Sequence, residues 1–138
     1  MMRKIATILM LATILAACDK VYINGDLDGM WKLQQVVRGE ESYHPTNIYY
    51  SFQRHMTQVS KHYDEEPPLR FIGHMTYRGD TITMSGFRKY LEEDIIATPD
   101  ILNGFYLYND SSILKIEKLD DETLIMKSVE ARYVLQKW

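Results

Sequence analysis

An all-β fold, an antiparallel up-and-down barrel of about eight strands with one short helix, is what this 138-residue sequence predicts. Three observations carry the prediction. From Gly29 onward apolar and polar residues alternate with a period of two, as half-buried strands require. Short turn signals separate the alternating runs, which favours consecutive antiparallel pairing. Past residue 28 only Thr98 to Gly104 carries the start and stop signals of a helix. A meander of this size closes on itself without exposed edges, and its interior is just wide enough for packed side chains or one small ligand. The alternative is a sandwich, which relies on crossing connections rather than the short turns present here.

The chain opens with Arg3 and Lys4, then an uncharged, apolar-rich run from Ile5 to Ala17 that ends in Leu15-Ala16-Ala17-Cys18. A basic start, a run shorter than the ~20 apolar residues of a membrane span, and small residues before a cysteine have the form of a bacterial lipoprotein signal. Residues 1–17 are therefore expected to be removed, leaving Cys18 as the lipidated first residue of the mature chain. Its thiol would carry a diacylglycerol thioether, and three acyl chains, each worth ~0.8 kcal/mol per buried CH₂, would anchor it firmly. This places the protein at the cell envelope, with the outer membrane of a Gram-negative bacterium the expected address and the leaflet open. Residues 18–28 read as the lipidated cysteine and a tether, and 29–138 as the barrel domain.

In the domain, Trp31, Leu33 and Val37 share one parity, with Lys32 and Gln34 on the other. Ile48, Tyr50 and Phe52 alternate with Tyr49, Ser51 and Gln53. Met56 to His62 is more polar and reads as an edge or lumen-facing strand. The pair Pro67-Pro68 marks a loop, since proline donates no ladder hydrogen bond. Leu69, Phe71, Gly73, Met75 and Tyr77 then line one face, and Gly79-Asp80 turns the chain into Thr81 to Ser85, a hairpin in which Ile82 and Met84 continue that face. Gly73 and Gly86 mark places where a strand could bend sharply. From Phe87 to Asp110 the rhythm breaks, and this stretch holds the helix: Thr98 as N-cap, Pro99 at the first helical position, Asp100 beside the positive end, Gly104 as stop. Strands resume over Ser112 to Lys118, then Thr123 to Ser128 after the turn Asp120-Asp121-Glu122, and Arg132 to Trp138 closes the chain. The count is seven or eight strands.

Removing Arg3 and Lys4 from 16 basic residues, against 19 acidic, leaves a mature net charge of −5. With basic residues scattered among acids, a nucleic-acid partner is not expected. Cys18 is the single cysteine, so the fold uses no disulfide, thiolate metal ligand or cysteine nucleophile.

Leu27-Asp28-Gly29-Met30-Trp31-Lys32-Leu33 contains the Gly-x-Trp that opens lipocalins and related calycin barrels. Ile116 to Leu124, followed by Tyr133 to Lys137, is similar to the last hairpin and closing strand of the lipocalin-like domains of Bacteroidetes lipoproteins. With Tyr49 to Gln53 the resemblance spans residues 27–138. It implies that Trp31 plugs the closed end of the barrel and that Arg132 packs across it. A Thr-Asp-Tyr turn has no counterpart, Tyr108-Asn109-Asp110 differing in order, so the looser lipocalin-like group is implied rather than a classical lipocalin.

His44, His55, His62 and His74 lack the spacing of a metal site and have no cysteine partner, so neither a metal nor another cofactor is expected. Ser60 or Ser85 with a histidine and Asp64 or Asp80 would be needed for hydrolysis, yet nothing resembles a nucleophile elbow. Glu92-Glu93 and Asp120-Asp121 are adjacent, so on a strand they point to opposite faces. No catalytic residue is assigned, and the chain is expected not to be an enzyme. Tyr50, Phe52, Phe71, Met75, Tyr77, Met84, Met126 and Tyr133 can all face one interior. They form either a packed core or a cavity for a small hydrophobic ligand, its phenol hydroxyls orienting the guest. Two functions follow: a lipid-anchored carrier of such a ligand, or a non-catalytic interaction module with a packed barrel, using Phe87 to Asp110 and the Pro67-Pro68 loop.

Overall fold

A computed structural model describes residues 23–138, so the expected leader and Cys18 lie outside the described residues. The strands are β1 (Gly29–Arg38), β2 (Glu41–Tyr43), β3 (Ile48–Gln53), β4 (Met56–Lys61), β5 (Leu69–Arg78), β6 (Thr81–Lys89), β7 (Glu92–Ile96), β8 (Ser111–Leu119), β9 (Thr123–Lys127) and β10 (Arg132–Lys137). A 3₁₀ turn (Gly25–Leu27) precedes β1, and helix α1 (Pro99–Asn103) sits between β7 and β8. Eight strands, β1, β3 to β6 and β8 to β10, pair antiparallel in chain order, and β10 returns to β1 with Trp31 opposite Lys137 and Leu33 opposite Leu135. The closed antiparallel barrel of the sequence reading is present, and closure leaves its eight strands no free edge along the main path.

Strands β2 and β7 are additions that alternation did not signal. β2 is three residues folded back on the end of β1, and β7, which pairs with β6, has every residue exposed. With no buried face, β7 has no reason to alternate. One parity also changes. A bulge between Leu33 and Gln35 shifts the register of β1 against β10, so the next inward residue is Val36 and not Val37. β4 is hydrogen-bonded on both sides, which removes the edge reading, and buries Thr57 and Val59 inward. Phe87, placed by sequence in the irregular stretch, belongs to β6 and is buried.

The two glycines expected at bends do sit at one. The β5–β6 register shifts between Ile72 and His74, and opposite it Gly86 adopts φ +68°, a left-handed conformation that glycine takes without a Cβ penalty. Gly73 is there for space: a Cβ on it would lie 2.9 Å from the Phe87 ring and 2.9 Å from the Ser85 carbonyl oxygen. The backbone oxygen cannot swing aside as a side chain would. Gly73→Ala is therefore expected to cost about 1–3 kcal/mol through overpacking, read as a lower urea midpoint at unchanged slope.

Helix α1 starts and stops where the sequence places it, with Pro99 in the first turn and Gly104 at its end. Its caps differ from expectation. Thr98 makes no side-chain cap bond, and Gly104 stays right-handed at φ −64°, its N–H donating to the carbonyls of Ile101 and Leu102. The left-handed residue comes two positions later, at Tyr106, φ +65°.

Candidate functional site

The eight residues assigned to the interior meet there. Tyr50, Phe52, Phe71, Met75, Met84, Met126 and Tyr133 are each at most 3% exposed, and Tyr77 is half-buried against them. What occupies the space between them is the chain itself. From α1 onward the backbone dips into the end of the barrel where β6 finishes and β8 begins, burying Leu102 of the helix and then Phe105 and Leu107. The Phe105 ring meets Phe71 edge to face, centroids 5.7 Å apart.

Both buried phenol hydroxyls are spent on this segment. Tyr50 donates to the carbonyl of Phe105 at 2.5 Å and Tyr133 to that of Tyr106 at 2.6 Å. A buried carbonyl without a partner costs ~1–3 kcal/mol, so the two bonds are what allows loop backbone to lie inside the barrel. Burial raises both phenols well above their ordinary pKa, and each stays a neutral donor. From outside, the segment is held by the β1–β2 hairpin: Tyr43 packs on Tyr106 at 5.7 Å, and the Arg38 guanidinium lies 4.1 Å from the Tyr108 ring centroid. Residues 97–108 are thus a lid, clamped between the interior tyrosines and the hairpin. Sequence reasoning saw this stretch as irregular and accessible. Its apolar residues Leu102, Phe105 and Leu107 were the available signal, but without strand periodicity they gave no direction of burial.

At the other end Trp31 is the expected plug, fully buried, its indole N–H donating to the Leu27 carbonyl at 2.9 Å. Arg132 does not cover it. Arg132 is exposed and pairs with Glu117, Nε to Oε1 at 3.0 Å. The cation over Trp31 is Lys137, whose Nζ lies 4.5 Å from the ring centroid and donates to the carbonyls of Asp26 and Asp28. Register decides this: Lys137 is the residue opposite Trp31, whereas Arg132 pairs with Val37, five residues up the barrel.

Outside the interior little chemistry converges. Ser60 and His62 approach to 3.2 Å, but Ser60 is fully buried, and among the described residues no acid is hydrogen-bonded to the pair. Burial, then the nearby Arg70 charge, lowers the His62 pKa. Among the described residues no group of three or more His, Cys, Asp or Glu is placed to hold a metal ion. The Asp120 carboxylate accepts from the N–H groups of Glu122 and Thr123, the turn role its position suggests.

A plugged antiparallel barrel entered through Gly-x-Trp defines a class, and comparison places the chain in it. Residues 13–138 match the family of the lipocalin-like domain, and the chain belongs to that family. A lipocalin-like protein from Bacteroides uniformis ATCC 8492 superposes with a TM-score of 0.66 at 20% identity, covering 83% of this chain and 100% of that one. An uncharacterized protein from Bacteroides eggerthii DSM 20697 also gives 0.66, at 18% identity over 81% and 99%. No protein of curated function matches.

Proposed function

We propose that this chain is a lipid-anchored, non-catalytic module of the cell envelope, held at the membrane by Cys18 and acting through its outer surface, with the barrel interior as a packed core. One observation carries the reading: Phe105 and the two carbonyls bonded by Tyr50 and Tyr133 occupy the place and the polar handles that a guest would use. The buried lid also cannot serve as the free interaction loop that its sequence suggests.

A second reading has its own support. Tyr106 holds a left-handed conformation that a bulky residue adopts at a cost of ~1–3 kcal/mol, and such strain gathers at elements that switch. If the lid swung out, an apolar molecule bearing a carbonyl or carboxylate would meet the same two hydroxyls. The small hydrophobic ligand would then be bound in exchange for the lid.

Native mass spectrometry of the purified mature protein separates the readings. The expected spectrum is the acylated chain alone; one small apolar molecule per chain would overturn the packed reading in favour of the second. Replacing Cys18→Ser is expected to move the protein from the membrane to the soluble fraction, and retention would overturn the anchor.

A further inference from the structure

We propose that the outer face of β10, β1, β3, β4 and β5 docks on an anionic lipid surface. The inference deepens the surface-module reading, and the Cys18 anchor supports it only through proximity. Six side chains form one line across this face. Lys32 lies 5.6 Å from the Trp138 ring centroid, Trp138 meets Tyr49 edge-on at 5.2 Å, and Tyr49 packs on His62 at 4.5 Å. His62 lies 3.2 Å from Ser60, the residue opposite Arg70, and the Arg70 guanidinium is 5.6 Å from the ring centroid of Tyr90. Register accounts for the line: Lys32 is opposite Tyr49, Tyr49 opposite Ser60, and Ser60 opposite Arg70.

The five strands of the face contain no Asp or Glu and are opposite in charge to a chain of net charge −3; the acids Asp64 to Glu66 and Glu92 to Glu93 lie in the flanking β4–β5 loop and β7. Among the described residues the salt bridges join Lys89, Lys115, Lys118 and Arg132 to acids, and neither Lys32 nor Arg70 takes part in one. Cations without carboxylate partners, set among exposed aromatics, suit the headgroup level of a bilayer: Trp and Tyr favour that depth, and Lys and Arg reach phosphates from it. Trp138 is 70% exposed and Tyr90 45%, whereas a core Trp or Tyr would be covered.

The chain also reaches this face from the anchor side. Asn24 donates to the Arg54 carbonyl in the β3–β4 turn, and Lys137 to that of Asp26. The polypeptide therefore enters at the end of this face, beside Trp138. Cys18 precedes Ile23 by five residues, a reach of at most ~18 Å. A lipid on Cys18 would keep Trp138 close to headgroups, so even weak affinity would orient the barrel with its flank down.

The test uses the mature chain with Cys18→Ser, which keeps every core residue from Leu27 to Leu135 and so the whole folding unit. It is expected to co-sediment with phosphatidylcholine–phosphatidylglycerol vesicles and not with phosphatidylcholine alone. Brominated lipid should quench Trp138 and spare buried Trp31, and Trp138→Phe should abolish the quenching. Lys32→Gln with Arg70→Gln should weaken binding about 25-fold, roughly fivefold per cation removed near the surface. Lys115→Gln with Lys118→Gln changes the net charge equally on another face and should leave binding unchanged. Equal binding to both vesicle types, equal loss in the two double variants, or capture of a soluble acidic peptide without vesicle binding would each overturn the proposal. Because no variant here carries a lipid, failure of the anchor assignment would leave a positive result standing.

Discussion

Trp31→Ala should lower the stability of the barrel by about 3–5 kcal/mol, a large part of the ~5–15 kcal/mol available to a domain of this kind. Trp31 is the largest fully buried side chain, and it sits where β1, β10 and the 3₁₀ turn converge. Its removal opens a hole that strand pairing on both sides prevents from collapsing. The Leu27 carbonyl loses its donor, and Lys137 loses the ring beneath it while still tied to the carbonyls of Asp26 and Asp28. The thermal midpoint should fall by on the order of 10–20 °C, followed by circular dichroism. Arg132→Ala should change stability by less than ~1 kcal/mol, since an exposed ion pair with Glu117 is its main contact. Comparable losses in the two variants would return the plug-covering role to Arg132.

The pair of substitutions marks what could be read from the amino acids alone. The eight barrel strands and the bend at Gly73 and Gly86 were legible because each has a local signature, a period of two or a missing Cβ, whereas β2 and β7 have none. Lys137 was not, because choosing between two cations of one strand requires the register with β1, which only closure sets. Val36 was hidden for the same reason, since the bulge that turns it inward leaves no mark at Gln34. The eight residues assigned to the interior do meet there, yet whether they enclose a space or fill it depended on a loop. Phe105 lies 55 residues from the tyrosine that bonds its carbonyl, and no local pattern reports a contact at that separation.

Phe105→Ala is the substitution on which the packed and ligand-binding readings part. Loss of the ring should cost about 3–5 kcal/mol, the usual range for Phe→Ala in a core. The lid should stay seated, because Tyr50 and Tyr133 bond backbone carbonyls that the substitution leaves in place. What remains is a ring-sized space against Phe71, and apolar cavities of this kind stay dry and accept small aromatic guests. Benzene or toluene should therefore stabilise the variant, by about 2.7 kcal/mol at a free concentration a hundredfold above the dissociation constant. The wild-type protein should show no such gain, since its own ring already fills the site. A rise in the wild-type thermal midpoint with the same probes would mean that the lid yields to an apolar guest at an accessible energy. In that event the strain at Tyr106 becomes part of a binding cycle, and the barrel interior, not its flank, is where function should be sought.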